Sequence, residues 1–462
     1  MDGTISIRMI CMRKFNLLFR LLVLLPMGLL AQAPPYLGTK TPYIAPGVRP
    51  TPPPAGYIPV FINYVGRHGA RFLTKSGPDQ AVLQELERAD RAHALTPLGV
   101  RLLGIVERLC RIEQGQYENI TLLGAAEQQA IGERLLEEYP GVFAGRGMEA
   151  VVTFKARTRQ SADAFMRAFP DYKGAVHFSR KADSLDALLR FYDLSPGYQR
   201  YKKSPAVKAA LDTLDRDPRT SAMAAAVCGR LFRQGYRVSE ALVFMDNLYD
   251  IYSVRYSMTE EIKAAGYVAD SVDVGVALDG RDLDWEDFRS GAQDFLEKGP
   301  GRDPLGIQVK VAAPLLADLV RTTDAAVGGP GERDAGGVGG SGATDGIFRF
   351  THAEAISPLA SLLGIPEASV PAAGIYHYRE HWRAERIIPL SANIQWIVYS
   401  NGRDQLVRIL LNEREVRLPV AGVQGPYYRW ADLRAYCIKR LELAGAGLQG
   451  DMLEYLRLLP YR

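Results

Sequence analysis

Two guanidinium groups and an imidazole fall within five residues of this chain, in Arg67-His68-Gly69-Ala70-Arg71. Arginine forks match the oxygens of a phosphate and keep their charge at any working pH. A neutral imidazole between them can serve as base, ligand or nucleophile. Two further clusters have a similar setting. Arg157 and Arg159 follow a short apolar run at 150–155, and His352 and Glu354 follow another at 347–350. A phosphoryl-transfer centre needs cations around the transferring oxygens, a nucleophile, and an acid for the leaving alkoxide. Between them the three clusters supply each of these.

Every cluster stands where a strand gives way to a turn or a helix. Residues 57–65 are mostly apolar and read as a buried strand. Glycine then lets the backbone turn sharply or approach a ligand closely. Open α/β sheets bind ligands at the carboxyl ends of their strands, and a helix starting near 156–161 adds its N–H groups to an anion site. Helices are expected at 80–94, 95–114 and 122–139, with Thr96-Pro97 and Thr121 as start signals and Pro140-Gly141 as a stop. From 176 to 306 strand signals are few, and the clearest helices are at 238–249 and 282–296. A long amphipathic helix at 308–327 follows. Strands return at 347–350, 394–400 and 406–411, with 413–419 as an extension, and helices at 355–363, 430–444 and 450–458.

This order predicts an α/β fold, a central sheet flanked by helices. Residues 57–175 and 307–462 would build it, with a mainly α-helical domain inserted at 176–306. The proline-rich stretch 34–56 reads as an extended arm or linker. Gly337-Val338-Gly339-Gly340-Ser341-Gly342 fits G-x-G-x-x-G, but it follows polar residues and precedes a strand, so it reads as a loop.

Hydrophobic residues make up 47% of the 462 and charged residues 23%, ordinary values for a globular enzyme. The formal charge of +4 comes largely from residues 1–33, which carry four basic residues against one acidic; the remainder is close to neutral, at +1. Attraction for an anionic small molecule must then come from a local pocket, and a nucleic-acid partner is not expected. Residues 1–33 read as a secretory signal: a basic start, an apolar run at 17–30, and Ala31-Gln32-Ala33 as a cleavage site. Arg20 and Pro26 interrupt the run, so a membrane anchor is disfavoured. Export to a periplasm or the medium is the expectation. Cys11 would leave with the signal, and Cys110, Cys228 and Cys437 allow one bridge at most, or burial as free thiols.

The motifs resemble those of the histidine acid phosphatases, the second branch of the histidine phosphatase superfamily. Arg67 through Thr74 matches R-H-G-x-R-x-x-T, and Arg157, Ser161 and Phe165 match R-x-x-x-S-x-x-x-F. His352-Ala353-Glu354 resembles the His-Ala-Glu of multiple inositol polyphosphate phosphatases, where most of the branch has His-Asp. Thr121-Leu122-Leu123-Gly124 and Asn412-Glu413 also resemble family stretches. The resemblance implies hydrolysis of inositol polyphosphates such as phytate, with His68 as the nucleophile that forms a phosphohistidine. It implies that Arg67, Arg71, Arg157 and His352 hold the phosphoryl oxygens, that Glu354 donates the proton, and that Thr74 supports the loop or touches substrate. No metal or other cofactor is implied, because arginines supply the charge. Lys155, Arg159, Arg180, Lys202 and Lys203 are candidates for further contacts at the pocket mouth.

Alternative readings are a general histidine acid phosphatase, a first-branch mutase-like enzyme, and a phospho-ligand binding protein with a degenerate site. A fourth comes from His377-Tyr378-Arg379-Glu380-His381, which fits the inverted zinc-protease motif H-x-x-E-H. On a helix His377 and His381 would share a face, and Glu413, Glu415 or Glu442 could complete a zinc site.

Overall fold

A computed structural model describes residues 35–328 and 344–461. The expected signal at 1–33 and the G-x-G-x-x-G at 337–342 lie outside the described residues. Among the described residues there are eight strands: β1 (Ile58–Arg67), β2 (Met148–Val152), β3 (Val176–Ser179), β4 (Gly346–Thr351), β5 (Asn393–Ser400), β6 (Gln405–Leu411), β7 (Arg414–Glu415) and β8 (Tyr427–Arg429). They form one sheet in the order β3-β2-β4-β1-β5-β6-β7, with β8 paired to β6. The pairs β3-β2, β2-β4 and β4-β1 are parallel, and the pairs from β1 to β7 are antiparallel.

The alternation of β1 sorts its side chains between two layers. Ile62 and Tyr64 pack with Phe165, Phe348 and Phe350 under the helices Leu122–Glu138 and Ala156–Met166. Phe61 and Val65 face the other way, into the larger core that takes in the helices Ala313–Val327, Ala353–Leu362 and Trp430–Ala444. The fold class is the expected one, an α/β sheet with helices on both faces. Between Asp183 and Ala277 every named element is a helix or helical turn, followed by the helix Gly280–Glu297. β3 belongs to the sheet, so the helical stretch begins beyond Ser179.

Local signals place the helix starts. Thr96 and Thr121 cap the helices Pro97–Glu113 and Leu122–Glu138, accepting from the N–H groups of Gly99 and Gly124 at 3.1 and 3.2 Å. Asp279 and Asp282 form a reciprocal cap at the start of Gly280–Glu297. The expected helix at 308–327 is instead two, Ile307–Lys310 and Ala313–Val327. Pro314 is the reason: it lacks a donor for a continuous helix and starts the second one. The thiols of Cys110, Cys228 and Cys437 are free.

Residues 36–56 lie along the body as an arm rather than a linker. The Glu127 carboxylate accepts from the Tyr43 N–H at 2.8 Å. Glu415 accepts from the N–H and hydroxyl of Thr51 at 2.6 and 2.8 Å, and Arg408 donates to the Thr51 carbonyl at 2.6 Å.

Candidate active site

The register of three parallel strands brings the clusters together. Arg67 of β1 is level with Thr351 of β4, so His68 and His352 leave the sheet side by side, their rings 5.4 Å apart at 64°. Val152 of β2 is level with Phe350, which carries Thr153 to His352 and leads into the helix bearing Arg157. Thr153 Oγ1 is 3.2 Å from His352 Nε2, and Arg157 donates from Nη2 to His352 Nδ1 at 3.2 Å. Arg67, His68, Arg157 and His352 are all buried.

A carbonyl can only accept, so the 2.9 Å contact between His68 Nδ1 and the Gly69 carbonyl places the neutral ring's proton on Nδ1. Nε2 then keeps its lone pair. Burial pushes the His68 pKa well below its usual value, and the cations Arg67 and Arg157 act the same way. The same logic makes His352 Nδ1 the acceptor from Arg157, and burial with Arg157 lowers its pKa too. Both ring nitrogens of His352 are thus engaged by protein groups.

The arginines are crowded. Arg67 and Arg71 are each pushed down to about 10, by burial first; Arg67 and Arg157 then act on Arg71. Burial likewise lowers Arg157, against the opposing carboxylates of Glu118 and Glu354. Arg67 Nη1 donates to the carbonyls of Thr39 and Ile388 at 2.6 and 2.5 Å, which ties its guanidinium to the arm and to a distant loop. Arg71 Nη1 donates to the Phe72 carbonyl at 2.7 Å. Nε of all three arginines, and Nη1 of Arg157, are buried without a hydrogen bond among the described residues. Buried donors of this kind are costly unless an acceptor meets them, so the cluster is chemically suited to an oxyanion.

Glu354 lies in the first turn of Ala353–Leu362. Burial alone would raise its pKa, but Lys298, then His352, outweigh it and hold the carboxyl well below the usual range. The Lys298 ammonium is 3.5 Å from Glu354 and 2.6 Å from Asp294. Thr74 is exposed, three residues beyond Arg71.

Supporting contacts fix the loop after β1. Gly69 donates its N–H to Ser161 Oγ at 3.0 Å, and Ser161 donates to the Arg157 carbonyl at 2.7 Å, joining two clusters. Ala70 donates to Glu127 at 2.9 Å, and Ser391 donates to the same carboxylate at 2.7 Å. Sequence reasoning missed Glu127, although the signal existed: it shares the apolar face of its helix with Ile131 and Leu135 at four-residue spacing. Lys298 and Glu118 also went unnoticed, and nothing local marks either. Glu118 lies 3.7 Å from Arg157 and 3.1 Å from Lys155.

Of the candidates for the pocket mouth, Lys155, Arg159 and Arg180 line a cavity of about 330 Å³ beside Thr153 and Phe178. Arg159 also pairs with Asp163 at 2.8 Å and stacks on Phe178. Lys202 lies against Tyr198 instead. The zinc reading finds no support in the geometry. His377 ends a 3₁₀ turn and His381 a separate single helical turn. His377 pairs with Glu380 on an exposed surface, and no three metal-ligating side chains gather among the described residues.

No protein-family model matches the chain, and no curated protein does. Solved structures do. The multiple inositol polyphosphate phosphatase of Bifidobacterium longum, in complex with inositol hexasulfate, aligns with a TM-score of 0.73 at 22% identity, over 87% of this chain and 97% of that one. Its complex with phosphate aligns at 0.72 and 22%, over 88% and 98%. The phytase from D. castellii aligns at 0.64 and 15%, over 89% and 87%. What the chain shares with them is the fold.

Proposed function

We propose that this protein is a phosphomonoesterase that hydrolyses inositol polyphosphates such as phytate through a phosphohistidine on His68. The observation that carries this reading is the meeting of a neutral His68, its Nε2 lone pair free, with the guanidinium groups of Arg67, Arg71 and Arg157. The arginines take the phosphoryl oxygens and relieve their own mutual repulsion in doing so. His68 Nε2 forms a bond to phosphorus as the ester P–O bond breaks, and the leaving oxygen takes a proton from Glu354. Water then attacks phosphorus, the P–N bond breaks with its electron pair returning to Nε2, and the Glu354 carboxylate takes the proton of the water.

Glu354 carries a negative charge beside Lys298 before substrate arrives. An incoming phosphate dianion offsets the cations that hold that charge, so the proton affinity of Glu354 rises on binding and it takes a proton from solvent before the ester bond breaks. His352 joins the phosphate by giving up its contact with Arg157 and changing tautomer: Nδ1 carries the proton and donates to a phosphoryl oxygen, while Nε2 accepts from the Thr153 hydroxyl. The basic cavity of Lys155, Arg159 and Arg180 gives a highly charged substrate a second place to rest its anionic groups, which favours an inositol polyphosphate over a simple monoester.

The test is phosphate release from phytate, beside an aryl phosphate, with EDTA present, for the wild type and His68→Ala. Release from phytate should survive EDTA and fall by several orders of magnitude in the variant. Preference for the aryl phosphate would make this a general acid phosphatase. Release undiminished without His68, or lost to EDTA, would remove the phosphohistidine mechanism.

A further inference from the structure

Lys298 reaches Glu354 from the helical stretch between β3 and β4, at 3.5 Å. It caps the carboxyl end of Gly280–Glu297, and the chain leaves that helix through Gly299-Pro300-Gly301. Gly299 admits no side chain here, since a Cβ would come within 2.9 Å of the Phe295 carbonyl oxygen and 3.2 Å of the Trp382 ring. The lysine side chain is 17% exposed and Glu354 36%, so solvent screens the pair only in part. Asp294, one turn earlier on the same helix, accepts from the ammonium at 2.6 Å and fixes its place.

We propose that Lys298 is a positioning residue for Glu354, whose ammonium, anchored by Asp294, orients the carboxylate and sets its charge before substrate binds. The inference rests on the phosphatase reading above. A lysine in this position places a positive charge beside the carboxylate. Burial works against the charged ammonium, but Asp294 first and Glu354 next more than offset it, so the lysine stays protonated.

Other charges around Glu354 act from several elements. His352 stands at the start of its own helix, and Arg67 follows from the end of β1; both lower its proton affinity. Arg71 and Arg157 sense its charge from the loop after β1 and the helix after β2. Tyr192 and Asp193 of Phe191–Leu194, and Tyr198 of Pro196–Lys202, face it from the helical stretch. Lys298 has the largest influence among the charges and is the only one of the cations without a proposed role on the phosphoryl group.

The experiment measures kcat/KM for phytate against pH in the full chain, with melting curves to confirm that each variant folds. Glu354→Asp identifies which limb of the profile belongs to this carboxyl. Removing the lysine raises the proton affinity of Glu354, so in Lys298→Met that limb should move to higher pH by about one unit or more. Lys298→Arg should bring it back toward the wild type. Asp294→Asn leaves the lysine's charge uncompensated and should move the limb to lower pH. A limb that stays in place in a folded Lys298→Met overturns the inference, as does one that moves the same way in Lys298→Met and Asp294→Asn. Activity lost in Lys298→Met and not restored by arginine overturns it too. Failure of the underlying reading shows separately, as a wild type that releases no phosphate or a His68→Ala that matches it.

Discussion

Behind Arg71, a second carboxyl is held in an unusual state. Glu113 is buried beside Asp79, and burial, with the Asp79 charge, pushes its pKa up to about 8. The Leu73 N–H and Arg71 oppose this without reversing it. An ordinary unfolded glutamate titrates near 4.3, so between roughly that pH and 8 the folded protein binds a proton that the unfolded chain does not. Stability therefore falls as pH rises through this window. Glu113→Gln keeps the shape and removes the titration. Its stability curve, from denaturant unfolding at several pH values, should decline less steeply, with the variant gaining on the order of a few kcal/mol over the wild type by the top of the window. Parallel curves would show that Glu113 is charged in the fold. Charge states of this kind were not legible in the sequence, because burial and neighbours set them. The residue types at Arg67, His68, Arg71, Arg157, His352 and Glu354 were legible, because each motif is a few residues long.

At the scale of elements, strand ends were readable and the contacts between them were not. Apolar runs ahead of His68 and His352 marked β1 and β4, yet only the register that pairs Arg67 with Thr351 makes the two rings neighbours. The crossing of the loop after β1 over the start of Leu122–Glu138 was equally hidden. A Cβ on Gly124 would lie 2.0 Å from the Ala70 carbonyl oxygen, and one on Gly69 would lie 2.4 Å from that of Gly124. Backbone meets backbone there, so neither side can yield by a rotamer change. Gly124→Ala should displace the loop and its arginines, lowering kcat/KM for phytate by around a hundredfold and stability by about 1–3 kcal/mol. Gly104→Ala, in Pro97–Glu113, is the control: the nearest atom to its Cβ is the end of Arg108 at 3.9 Å, and helix propensity should make it neutral or slightly stabilising. Equal activity in Gly124→Ala and Gly104→Ala would mean that the crossing does not hold the loop in place.

The whole molecule is near electrical neutrality beyond its first 33 residues, so its charge is organised locally, and the arm takes part in that organisation. Arg67 stands at the end of β1, but two carbonyls far from it in sequence, of Thr39 and Ile388, hold its guanidinium. The arm is tied down on both sides of that contact. Leu37 is buried and Lys40 pairs with Asp250, while Tyr43 and Thr51 bind Glu127 and Glu415 further along. A chain that begins at Tyr36 retains both carbonyls, and one that begins at Pro42 keeps the later anchors but loses Thr39. In the shorter chain a buried guanidinium loses one of the two acceptors that aim it. Its kcat/KM for phytate should fall by at least about tenfold, the equivalent of one hydrogen bond to a charged group, while circular dichroism reports an intact fold. Full activity in the chain that begins at Pro42 would show that Ile388 alone suffices to aim Arg67, and that the arm serves stability and not the site.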